Sequence, residues 1–119
     1  MRFLGTIGAA GLFLGVALGA FAAHALKGHL SEQMQSVFET AVRYQMYHSL
    51  AIILAASLLD RSPMFQVAGI FYIAGIILFS GSLYILATTG IRWFGAITPL
   101  GGLSFLIGHA VMFITFLRL

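Results

Sequence analysis

Lys, Arg, Asp and Glu divide the chain into four long apolar runs, Phe3 to Leu26, Tyr44 to Leu59, Ser62 to Ile91 and Trp93 to Leu117. A helix of about 20 residues crosses about 30 Å of hydrocarbon. Three runs reach that length, and the Tyr44 run reaches it when its helix extends back past Arg43, whose long side chain can snorkel to the headgroups. The pattern predicts an all-α fold, an integral membrane bundle of four transmembrane helices over approximately residues 4–26, 40–59, 63–89 and 99–118. No linker, low-complexity tract or internal repeat interrupts it, so residues 1–119 read as one transmembrane domain.

End chemistry marks the boundaries. Lys27-Gly28 closes the first helix, Ser31 followed by Glu32 opens the second, and Gly90 ends the third. Ser62-Pro63 and Thr98-Pro99 each place a capping hydroxyl before a proline at the first helical position, where its missing N–H costs nothing. The Ile91 to Ile97 stretch, with Arg92 and Trp93, is expected at the interface, where tryptophan prefers to sit. At the N-terminus, Arg2, the apolar run and Ala20, Ala22 and Ala23 resemble a signal peptide, but an h-region is about 7 to 15 residues and this run is longer.

Ahead of the second span the helical pattern is amphipathic. At 100° per residue, Glu32, Gln35, Ser36, Glu39 and Arg43 fall on one side and Met34, Phe38, Ala41, Gln45, His48 and Ile52 on the other. Glu39 and Arg43 have the i,i+4 spacing of a helical ion pair. This predicts an amphipathic extension before helix two, a solvated face rather than a dedicated docking surface.

Composition narrows the function classes. Hydrophobic residues make up 61% of the chain and charged residues 8%, and the mean hydropathy is +1.04. A soluble domain carries about 25% charged residues, so water-soluble enzyme and DNA-binding folds are excluded. The net charge of +3 comes from six scattered Lys and Arg that form no patch, which argues against nucleic acid and for membrane-edge anchors. The absence of cysteine excludes disulfides, thiolate catalysis and Cys-based metal sites. Arg2, Arg61 and Arg118 would share one side of the membrane and Lys27, Arg43 and Arg92 the other. The N-terminal amine and the placement of Arg43 within the second span tilt this tie toward cytoplasmic termini.

Small residues supply the packing signal. Gly5, Gly8, Gly11, Gly15, Gly19 and Ala22 share one face of the first helix, with Gly11, Gly15 and Gly19 in consecutive GxxxG steps. Thr98, Gly101, Gly102, Phe105, Gly108, His109 and Met112 form a stripe on the fourth, and Gly69, Ile76, Ser80, Tyr84 and Ala87 a looser one on the third. Such faces let backbones approach closely, against another helix of the same chain or, less favoured, against a second copy.

Ionisable residues inside membrane-length runs are functional candidates by default, and here they are His24, His48 and His109. At about 1.5 Å per residue, His48 and His109 approach the midplane and His24 the interface. Two midplane histidines raise bis-histidine haem ligation or a proton relay. The favoured alternative is a neutral histidine hydrogen-bonded to Gln45, Ser80 or Tyr84 across helices, because no carboxylate lies in the bilayer to complete a proton path. Catalytic triads, paired carboxylates, HExxH motifs and nucleotide-binding glycine loops are missing.

Leu18 to Leu26, Tyr44 to Ala51, Phe79 to Tyr84, Thr98 to Gly102 and Ser104 to Gly108 together resemble the YgdD-like family of small bacterial inner-membrane proteins of unknown function. The resemblance touches all four spans and implies a multi-pass inner-membrane protein with no assigned activity, substrate or cofactor. Family members often carry Trp where this chain has His109, so the resemblance does not extend to a His48/His109 pair. His24, Tyr44, Gln45, His48, Ser80, Ser82, Tyr84 and Thr98 remain as a candidate polar cluster, expected in the half of the bundle facing the 27-to-43 connection. Gly11, Gly15, Gly19, Gly101, Gly102 and Gly108 are the candidate packing residues.

The function expected from this reading is intramembrane packing or interaction, as a scaffold or accessory protein, without a catalytic site, metal or cofactor. Its partners would be the lipid bilayer and either a homo-oligomer or another membrane protein. The alternatives are a small oligomeric transporter or channel and a haem- or ligand-binding protein using His48.

Overall fold

The computed structural model describes residues 2–119 and is all-helical among them. Four long helices run along a body measuring 48 × 26 × 19 Å. They are α1 (Arg2–His24), α2 (Glu32–Ser57), a third made of α3 (Met64–Gly75), a π turn (Ile76–Ser80) and α4 (Gly81–Thr89), and α5 (Thr98–Leu117), which a 3-10 turn (Arg92–Ala96) precedes. By length and composition, Arg2–His24, Met64–Thr89 and Arg92–Leu117 can each cross a membrane. In α2 the first half is polar and the second apolar.

Local chemistry explains most of the boundaries. Ser31 Oγ accepts from the Met34 amide at 3.1 Å, and Ser62 Oγ from the Met64 amide at 3.2 Å. Gly28 and Gly90 take up positive φ, 86° and 73°, where a side chain would be strained. Two expectations fail. Helix α1 ends at His24 rather than near Leu26, because the Leu26 amide reaches back five residues to the Phe21 carbonyl, which already accepts from Ala25, and so leaves the helical ladder. Thr98 does not cap α5, since its hydroxyl is held by Ser82 and Phe94 instead. The π turn in the third helix had no counterpart in the sequence reading.

Packing is uneven around α2. Its buried face is Phe38, Ala41, Gln45, His48, Ser49, Ile52, Ala55 and Ala56, while Glu32, Ser36, Glu39 and Arg43 are exposed. The expected Glu39–Arg43 ion pair is not formed among the described residues; Glu39 Oε1 lies 3.5 Å from Gln35 Nε2. One side of α2 receives α1 and the other the third helix, against which α5 packs, reaching α2 through Phe105 and His109. The interior forms two apolar clusters, Leu4, Ile52, Ala56, Ala68, Tyr72 and Phe105 toward the Asp60 turn, and Ala22, Phe38 and Ala87 toward the opposite end. Outward-facing side chains are largely apolar, including Phe13, Leu106 and Phe113. An apolar exterior around a small core is the inverse of a water-soluble globule.

Candidate functional site

Between the two apolar clusters lies a belt of buried polar side chains. Gln45 is its first node. It projects from the buried face of α2, and both ends of its amide are engaged: Nε2 donates to the Gly11 carbonyl of α1 at 2.8 Å, and Oε1 accepts from the Tyr84 hydroxyl of α4 at 2.6 Å. One side chain thus ties three helices. Gly11 and Gly15 allow this, because a Cβ at Gly11 would run into Ser49 and one at Gly15 into Met46 and within 3.5 Å of Gln45 Nε2. One turn earlier on α2, the Ala41 carbonyl accepts from buried Ser80 Oγ at 2.7 Å, where the π turn meets it.

His48 is the second node. Its ring lies flat on Phe105, with centroids 3.5 Å apart and planes 8° apart. His48 Nδ1 is 2.8 Å from the Tyr44 carbonyl, His48 Nε2 is 3.1 Å from His109 Nε2, and His109 Nδ1 is 2.8 Å from the Tyr72 hydroxyl. With both imidazoles neutral, one assignment satisfies every contact. A carbonyl only accepts, so His48 Nδ1 carries its proton and Nε2 is an acceptor; His109 Nε2–H then donates, leaving its Nδ1 to accept from Tyr72 O–H. The chain runs in one direction, from Tyr72 through His109 and His48 to Tyr44. It joins α3, α5 and α2 and ends on a backbone carbonyl, which has no proton to pass on. The expected partner of His48 on the third helix, Ser80 or Tyr84, is not the one it has.

The other expected residues divide. Ser82 Oγ donates to the Phe79 carbonyl at 2.9 Å and pairs with Thr98 Oγ1 at 2.7 Å, joining α4 to the start of α5 away from both nodes. Tyr44 joins through its ring, 4.6 Å from Phe79 by centroid. His24 lies exposed at the end of α1 and does not join the cluster. Gly101 is buried against the Phe79 backbone and Gly108 against Tyr72, with a Cβ there only 2.7 Å from the ring; Gly102 is nearly open. Nor is the belt confined to the half facing the 27-to-43 connection, because Tyr72 belongs to the apolar cluster at the other end.

Sequence reasoning missed Tyr72, Ser49 and Ser104. Tyr72 lies one turn past Gly69 and one before Ile76, on a stripe already noted, and that spacing could have found it. Ser104 Oγ donates to the Phe71 carbonyl at 2.7 Å. Ser49 Oγ is buried without a hydrogen-bond partner, pressed against Gly11 of α1.

Chemically the belt, Ser49 Oγ apart, is an arrangement of hydrogen-bonded polar groups. Two imidazole nitrogens 3.1 Å apart are bonded to each other, whereas axial ligation of one metal from opposite faces would separate them by about 4 Å, given metal–nitrogen distances of about 2.0–2.1 Å. A groove of about 660 Å³ opens beside the pair, lined by Tyr44, Tyr47, His48, Phe105, Leu106 and His109 among others, and the ring nitrogens on its wall are already engaged.

Comparison with known proteins places these residues among relatives. The family described as "Protein of unknown function (DUF423)" matches residues 18–102. A UPF0382 membrane protein of Staphylococcus haemolyticus is 44% identical, over 97% of this chain and 95% of that protein. The UPF0382 membrane protein YwdK of Bacillus subtilis is 46% identical over 90% and 89%, and the UPF0382 inner membrane protein YgdD of Escherichia coli 40% identical over 99% and 92%. No solved structure matches.

Proposed function

The chain belongs to the DUF423 family of membrane proteins, and from that premise we propose that it is a four-span protein of the bacterial inner membrane that works by helix packing and contact with its surroundings, without chemistry of its own. The second half of α2 supplies the fourth span, with Arg43 snorkelling, and its first turns form an amphipathic extension at the surface. Both termini are cytoplasmic. The GxxxG face of α1 packs within the chain, and the outer faces meet lipid, a second copy or another membrane protein.

Gln45 is the observation that carries this reading. In hydrocarbon an unpaired polar group costs several kcal/mol, and both ends of this amide bond to neighbouring helices, which is what a residue retained for assembly does. Native mass spectrometry from mild detergent tests it. The chain is expected with lipid or protein companions and without a small-molecule cofactor. Ion flux in liposomes above the protein-free level would favour a transporter or channel instead, and a Soret band in purified protein would favour haem.

A further inference from the structure

Where the N-terminal end of α3 meets the C-terminal end of α5, the helices border a half-open cavity of about 260 Å³. Its lining is divided. Arg61, Ser62, Thr115 and Arg118 give it a polar, doubly cationic part, Met64, Val111 and Ile114 an apolar one, and Leu119, with its main-chain carboxylate, completes the lining. No aspartate or glutamate lines it, and Asp60, which precedes Arg61, is not part of the wall. The hydroxyls are engaged locally, Ser62 accepting from the Met64 amide and Thr115 donating to the Val111 carbonyl. Two arginines therefore line one space with no side-chain carboxylate in its wall.

We propose that this cavity binds the phosphodiester headgroup of one anionic phospholipid, with Arg61 and Arg118 on the phosphate and the start of an acyl chain along Met64, Val111 and Ile114. Charge complementarity selects an anion, because guanidiniums pair bidentately with phosphate oxygens. The apolar wall selects a lipid over a free anion. Depth agrees: the Asp60 turn and the end of α5 close the bundle at one end, where headgroups lie, and basic pockets between transmembrane helices are suited to anionic headgroups. This inference rests on the four-span reading, which puts Arg61 and Arg118 on the same side.

Native mass spectrometry of protein incubated with equal phosphatidylglycerol and phosphatidylcholine tests the site. A C-terminal tag carries the main-chain carboxylate away from the cavity, so the tagged protein is the sample. One phosphatidylglycerol adduct is expected to survive activation in preference to phosphatidylcholine. At about 1 kcal/mol per basic residue near an anionic surface, Arg61→Gln with Arg118→Gln should weaken that preference by about thirtyfold. Arg92→Gln, at the opposite end, should leave it unchanged. Ile114→Trp, which fills the apolar part and keeps both charges, should also reduce the adduct, and gel filtration checks that each variant remains folded. Equal phosphatidylglycerol retention by the double variant overturns the proposal. Displacement by millimolar inorganic phosphate would overturn it in favour of a free-anion site. Cysteines placed beside Lys27 and beside Arg61 report the topology separately: labelling from opposite sides with no lipid preference rejects the site alone, and labelling from the same side rejects the four-span reading.

Discussion

Helix α2 has two sides, and they are built differently. Toward α1, the glycines Gly11, Gly15 and Gly19 meet the side chains of Ser49, Met46 and Val42. Beyond its other side, where the third helix packs on α5, Gly101 meets the Phe79 backbone, while Gly75 meets the Phe105 ring and Gly108 the Tyr72 ring. In sequence the two glycine stripes look alike. Physically the first seam can yield, because a thioether or a valine rotates away at small cost, and the second cannot, because backbone and stacked rings have nowhere to go. The polar nodes follow the same division. Gln45 reaches across the yielding seam with one amide, whereas His48 is fixed by stacking, by its tautomer and by two further side chains.

The sharpest way to break this comparison is to add a methyl group on each side. Gly101→Ala should destabilise by about 3 kcal/mol, the top of the range for overpacking, because the added Cβ collides with the Phe79 main chain. Gly15→Ala meets Met46, which can swing aside, and recovers part of the cost from the preference of about 1 kcal/mol for Ala over Gly in a helix interior. Thermal unfolding in the same detergent should show a large fall for the first and little change for the second. Equal falls would mean that the seams are equally stiff.

Removing the first node comes next in size. Gln45→Leu deletes two interhelical hydrogen bonds, each worth about 0.6 kcal/mol on average in membrane proteins and at most about 1.7, and leaves the Tyr84 hydroxyl unpaired. A loss of about 2 kcal/mol is expected, with the middle of α1 loosened most, because Gln45 ties it there while Gln35 Nε2 still holds the Ala22 carbonyl near its end. Hydrogen exchange should therefore rise in α1 before α5. If both helices exchange alike, Gln45 does not hold α1 in place.

Which of this was legible in the sequence depends on whether the signal was local. Run lengths, the Ser31 and Ser62 caps and the glycines at helix ends are read within a few residues, and they located the helices to within a turn or so. Gln45 and His48 were also legible as inward-facing, because Phe38, Ala41 and Ile52 fix that face of α2 by periodicity alone. Tyr84, expected at overlapping depth on the third helix, is indeed the partner of Gln45, but the partner of His48 was not legible. Finding His109 opposite His48 requires the relative height of α2 and α5, which is a matter of tertiary packing against Tyr72 and Phe71 and not of local pattern. The π turn at Ile76–Ser80 had no local signal either, and Ser80 at its end reaches the Ala41 carbonyl rather than a side chain. Thr98 misled for a related reason: the Ser-Pro and Thr-Pro pairs look equivalent, yet Ser82 approaches Thr98 from another helix and takes the hydroxyl.

On the stiffer side, His48→Phe should cost about 1 kcal/mol, less than Gln45→Leu, since hydrogen bonds of this kind average about 0.6 kcal/mol and the stack on Phe105 survives. The Tyr44 carbonyl loses a second donor and His109 Nε2–H an acceptor, but the His109 imidazole can take its other tautomer, donating Nδ1–H to the Tyr72 oxygen and leaving no unpaired N–H. A loss as large as that of Gln45→Leu, measured by the same unfolding transition, would show that the imidazole and not the ring stack holds this side.

The smallest change probes the direction of the hydrogen-bond chain. His109→Trp replaces an imidazole that donates to His48 Nε2 with an indole that has a donor and no acceptor. The bond to His48 can therefore be kept while the acceptor for Tyr72 is lost, and Tyr72 O–H still has Met112 Sδ at 3.7 Å. A net change within about 0.5 kcal/mol is expected at this exposed position. The stronger check is a double-mutant cycle with Tyr72→Phe. In the parent protein Tyr72→Phe removes the bond to His109; in the His109→Trp background there is no such bond to remove, so the two changes should couple by about 0.6 kcal/mol and no more than about 1.7. Additive effects would mean that Tyr72 does not donate to His109, and the assigned direction from Tyr72 to Tyr44 would be wrong.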